Sequence, residues 1–120
     1  MLGQPQTICK PMQDPEHQLQ CACVRWFRYA HADLSPLLFA VPNGGRRDHI
    51  TGARLKAEGV VAGVADLLLL VPSQQHHALC IEMKTAKGRQ SPAQKEWQQH
   101  AENHGYRYEV VRDFDTFERV

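Results

Sequence analysis

Residues 78–84, ALCIEMK, make an apolar, strand-like run that ends in a carboxylate and an amine. Side chains alternate across a strand, so Leu79, Ile81 and Met83 share one face and Cys80, Glu82 and Lys84 the other. A second apolar run, DLLLLV at 66–71, precedes it across the polar turn PSQQHH. A hairpin centred at Gln74 or Gln75 sets Asp66 opposite residue 82 or 84. Two carboxylates and one amine then meet at one edge of a sheet. That set suits phosphodiester hydrolysis. Paired carboxylates hold a hard divalent cation such as Mg²⁺, which keeps most of its waters. The cation acidifies a bound water and neutralises charge building on the phosphate, while a nearby Lys orients the water. An E-x-K pair alone is more simply a surface salt bridge. The register with Asp66 is what favours chemistry.

Two further polar residues bear on this edge. Glu16 lies three residues before Leu19 and seven before Cys23, on the apolar stripe of a first helix. The dipole of the helix N-terminus explains an acid in the first turn, but not the face it takes. Gln94 shares a face with Trp97 and Ala101, yet Ser91 and Gln94 also form a capping-box pattern. Both readings of each residue stay open. Arg46, Arg47, Lys87, Arg89 and Lys95 stand in loops or at a helix start flanking the edge. Loop cations there suit phosphate clamping, and ordinary solvated loops suit them equally. His76 and His77 fall in the hairpin turn, at the far end from Asp66, and read as exposed turn residues. Cys21 and Cys23, two apart on a helix, point about 200° away from each other and cannot share an ion. With Cys80 in an apolar strand, the thiols read as structural rather than as zinc ligands.

The elements that position these residues follow from periodicity and punctuation. Residues 1–13, rich in Gln and Pro, read as a loose arm ahead of one domain over 14–120. Asp14 suits an N-cap and Pro15 a first helical position; Leu19, Cys23, Trp26, Phe27 and Ala30 then form one stripe. LLFAV (37–41) is a short strand, PNGGRRDHITG a turn-rich loop, and ITGARLKAEG a short helix capped by Thr51 and closed by Gly59. After the hairpin, Ser91 and Pro92 open a helix running to Gly105. YRYEVVR (106–112) is a last strand and FDTFERV a closing helix. Hairpin strands are antiparallel, whereas a strand reached by a helical crossover pairs parallel. The expectation is an α/β fold, a small mixed sheet flanked by helices. With 120 residues and a formal net charge of +1, bulk charge makes no case for a polyanion partner. No signal-peptide h-region and no membrane-length apolar run are visible, which points to a cytoplasmic protein without a membrane partner.

PNGG, ARLKAEGVVAGVADLLL, IEMKT, KGRQSPAQKEW and GY, in this order, resemble the VRR-NUC domain, a branch of the PD-(D/E)XK nuclease superfamily. The resemblance covers about residues 15–117 and is closest to the stand-alone form of phages and bacteria. It implies a restriction-endonuclease-like fold and a Mg²⁺- or Mn²⁺-dependent DNA endonuclease. It implies that Asp66, Glu82 and Glu16 hold metal together with the Met83 carbonyl. Lys84 then stands as the catalytic lysine and Gln94 as the glutamine opening the helix after the catalytic strand. Stand-alone members resemble Holliday-junction resolvases and act as homodimers, so branched DNA is the implied partner. The rivals are a flap, end-directed or nicking nuclease of the same fold, and a non-catalytic DNA-binding module, against which the intact acid–lysine set argues. One departure is visible: the family's Pro before the catalytic Asp is Ala65, which removes a φ constraint but no catalytic group.

Overall fold

The computed structural model describes residues 14–42 and 49–120, with side chains in the second stretch from residue 52 onward. Residues 1–13, and with them the expected arm, lie outside the described residues, as do Arg46 and Arg47. Helix α1 (Pro15–Ala30) starts where its signals stand: the Asp14 side chain accepts from the His17 amide at 3.1 Å, and Pro15 occupies the first turn. Cys23 and Phe27 are buried, with Leu19 and Trp26 packed against the same core. Ala30, expected on that stripe, is exposed, because the last turn of α1 runs on into a 3-10 helix at Ala32–Leu37.

Four strands form one sheet in the order β1 (Leu38–Ala40), β2 (Leu67–Leu69), β3 (Leu79–Met83) and β4 (Arg107–Val111). The β2–β3 hairpin is antiparallel and β3–β4 is parallel, as the connection lengths require. β1 pairs antiparallel with β2, against the crossover expectation. Ala40, the end of β1, sits beside Leu67, the start of β2. The excursion through α2 (His49–Ala57) therefore leaves and re-enters at the same end of the sheet. α2 already begins at His49, so Thr51 lies inside it rather than capping it. Gly59, at φ 109°, closes it, with the Val60 amide reaching back to the Leu55 carbonyl at 3.0 Å.

Helices cover both faces of the sheet. Leu79, Ile81 and Met83 face α1 and α4 (Phe114–Arg119), meeting Cys23, Phe27 and Phe117. Trp26 completes that layer with edge-on contacts to Phe114 and Phe117. On the opposite face Cys80 packs with Ala65, Ala101 and Tyr108 under α3 (Pro92–Asn103). All five residues of β3 are consequently buried. The alternation of β3 survives, but its second face meets protein rather than solvent, and any polar side chain there must find partners inside.

Candidate active site

The β2–β3 register pairs Leu67 with Ile81, which centres the hairpin on Gln74 and, one step further, sets Asp66 opposite Glu82. Asp66 is held at the strand entry from both sides. Its Oδ2 accepts from the Met83 amide at 2.7 Å, and its carbonyl accepts from the Val41 amide at 2.8 Å. These bonds supply the rigidity that a proline at position 65 would otherwise lend, and Ala65 itself is fully buried. Met83 keeps its side chain in the core and uses its amide to orient the acid.

Among the described residues Glu82 is the buried charged side chain, 1% exposed. Gln94 Nε2 donates to its Oε2 at 2.8 Å, and the Tyr108 hydroxyl donates to its Oε1 at 3.0 Å. Burial first, then the Asp66 charge and a proton shared with Asp66, push the Glu82 carboxyl up to about 8. Tyr108 and Lys84 pull in the opposite direction without prevailing. Glu16 is also raised, chiefly by burial and next by Asp66, with Lys84 opposing. The charges of Asp66 and Lys84 thus act on Glu16. The Lys84 stem lies against Gly88, and its amide is anchored on the Val111 carbonyl at 3.0 Å.

Gln94 combines both of its open readings. The Ser91 amide donates to Gln94 Oε1 at 2.8 Å, and the Gln94 amide donates to Ser91 Oγ at 3.1 Å, a complete capping box. The other end of the same amide reaches Glu82. The cap thus delivers Gln94 to the carboxylate. Lys87, Arg89 and Lys95 are exposed, and none pairs with a carboxylate among the described residues. The loop that carries the first two is shaped by Arg112, whose Nη1 donates to the Thr85 and Gly88 carbonyls at 2.8 and 2.7 Å. Arg112, Tyr108 and Gln90 were not singled out in the sequence. The parallel pairing of Cys80 with Tyr108 puts Tyr108 on the Glu82 face, but that pairing is a tertiary fact.

The acids at this edge offer oxygen donors, which is the chemistry of Mg²⁺ or Mn²⁺ rather than of a soft metal. Burial and then the Asp66 charge raise Glu82 despite Lys84, and a divalent cation held by the two acids would offset both. No three His, Cys, Asp or Glu side chains among the described residues converge into a metal cage, so Glu16 does not close a three-acid ligand set. Two carboxylates with waters suffice for Mg²⁺, and on that count the residues fit. The thiols do not compete: burial pushes Cys23 and Cys80 up to about 11, where neither forms thiolate near neutrality.

A family model for the VRR-NUC domain matches residues 3–114, nearly the whole chain. The chain belongs to the VRR-NUC domain family. It is thus a nuclease-type, DNA-acting domain, from a family that generally works with a divalent metal. A solved VRR_NUC domain protein is similar in structure, with a TM-score of 0.71 and 26% identity over 83% of this chain and 78% of that one. No protein among those with curated function matches. The VRR-NUC fold agrees with the mixed four-stranded sheet flanked by helices. No helix among the described residues is long and apolar enough to cross a membrane.

Proposed function

We propose that this VRR-NUC domain is a Mg²⁺- or Mn²⁺-dependent DNA endonuclease that selects branched DNA and works as a homodimer with paired sites. The observation that carries the reading is Glu82: a buried carboxylate, opposite Asp66, with a donor on each oxygen. Burying a carboxylate beside another acid costs stability, and a purely structural role gives no return for it. Asp66 and Glu82 would hold the cation, together with the Met83 carbonyl and with Glu16 contributing from α1. When bound, a divalent cation would acidify a water and offset charge on the scissile phosphate. Lys84, two residues on from Glu82, would orient the attacking water. Gln94 fixes the carboxylate plane of Glu82. Lys87, Arg89 and Lys95, with Arg46 and Arg47, grip the flanking phosphates and bring no base specificity.

The test is a substrate panel: a four-way junction, a flap and a linear duplex at matched concentrations, in Mg²⁺ or Mn²⁺, with wild type beside Lys84→Ala. The expected result is paired symmetric cuts confined to the junction, and a folded, DNA-binding Lys84→Ala protein that does not cut. Cutting retained by Lys84→Ala removes the lysine from the mechanism. Preference for the flap, duplex ends or single nicks replaces junction resolution by those activities. Metal-dependent binding without cleavage of any substrate reduces the domain to a DNA-binding module.

A further inference from the structure

Behind Glu82 a hydrogen-bond chain runs across α3 and the loop before it. Glu102, exposed on α3, offers a carboxylate that only accepts, so Gln98 turns Nε2 to it at 3.1 Å. Gln98 Oε1 is thereby left to accept from Gln90 Nε2 at 3.0 Å. The second N–H of Gln90 Nε2 donates to the Tyr108 oxygen at 3.2 Å. A phenol has one proton. With its oxygen accepting from Gln90, Tyr108 directs that proton to Glu82 Oε1 at 3.0 Å. On the other side the Ser91 amide, an obligate donor, sets the direction of Gln94 in the same way. Both Glu82 oxygens therefore meet donors whose orientation is set elsewhere. Tyr108 is 6% exposed, so bulk water does not exchange freely with its hydroxyl.

We infer that Tyr108 is a positioning residue that locks the Glu82 carboxylate in its cation-holding orientation, its proton aimed there by Gln90. The inference rests on the functional reading above, in which Glu82 holds the cation. Partners that orient a metal-holding carboxylate govern affinity for the ion, typically by about 10- to 100-fold. A Tyr kept only to fill space under Trp97 governs stability alone. Gln90 also ties the basic loop to the site, because the residue that aims Tyr108 is the one that ends the Lys87–Arg89 segment.

The experiment measures Mn²⁺ binding to the full chain by calorimetry without DNA, for wild type, Tyr108→Phe and Gln90→Glu. Tyr108→Phe removes the donor. Gln90→Glu keeps the shape but puts an acceptor against Tyr108, drawing its proton away from Glu82. Each variant is expected to weaken Mn²⁺ binding about 10-fold or more. Gln90→Glu does so despite adding a negative charge, which by Coulomb attraction alone tightens cation binding. In cleavage, the Mn²⁺ concentration for half-maximal rate rises while the rate at saturating Mn²⁺ largely returns. Melting temperatures of the metal-free proteins report the structural contribution separately. A lower melting temperature with wild-type Mn²⁺ affinity in both variants overturns the inference. Weakening by Tyr108→Phe alone overturns the part assigned to Gln90. A wild type that binds no Mn²⁺ overturns the functional reading itself, and this inference with it.

Discussion

At the scale of single residues, Glu82 is held where its charge is disfavoured, and the consequence is measurable without DNA. Its carboxyl lies at about 8 in the folded protein against an ordinary 4.5, raised mainly by burial and by Asp66. Between those pH values the folded state keeps a proton that the unfolded chain has released. The stability linked to that proton is complete below about pH 4.5 and is lost as pH rises through about 8. Urea unfolding of metal-free protein should therefore show stability falling from pH 5 to 8. Glu82→Gln should flatten that fall, and equal slopes in the two proteins would remove Glu82 as its origin. Mg²⁺ added at pH 8 should restore stability to wild type only, by binding the folded state.

At the scale of elements, the first turn of α3 is the part that must not move, because Gln94, which completes the Ser91 capping box, is also the Glu82 partner. The segment between α2 and β2 presses on that turn through Gly63, at φ 85°. A Cβ there would run into the Ala93 carbonyl and the Gln94 amide. Gly63→Ala combines left-handed strain of about 1–2 kcal/mol with that collision. The expected outcome is a loss of about 2 kcal/mol or more in urea unfolding, with cleavage falling further than the folded fraction. Wild-type cleavage in a destabilised Gly63→Ala protein would show that α3 can shift without disturbing Glu82. In the sequence Gly63 stands three residues before Asp66 with nothing to mark a contact. Only the structure shows which backbone it makes room for.

At the scale of the whole molecule, a formal net charge of +1 leaves DNA attraction to local geometry. The loop that Arg112 shapes by holding carbonyls carries Lys87 and Arg89, both exposed. Each is expected to neutralise about one phosphate, so Lys87→Ala or Arg89→Ala should reduce the slope of log affinity against log salt by about 1. Arg112→Ala should weaken binding through loop disorder rather than lost charge. Unchanged slopes in the lysine and arginine variants would place the DNA path elsewhere on the surface.

The sequence by itself determined what depends on local spacing. Period-two alternation put Glu82 on the face of β3 opposite Ile81 and Met83, and Asp14, Ser91 and Gly59 marked helix ends that the structure bears out. Turn length narrowed the partner of Asp66 to residue 82 or 84, and the observed pairing of Leu67 with Ile81 selects Glu82. Other features were decided only by tertiary structure. The antiparallel pairing of β1 depends on where the α2 excursion re-enters the sheet, not on its length. That the second face of β3 is buried depends on α3 lying over it. Tyr108 faces Glu82 because β4 pairs in parallel, and Gln90 reaches Tyr108 from the segment before α3. Spacing along a chain sets which way a side chain points. What it meets there is set by segments distant in sequence, brought together by burial of a shared core.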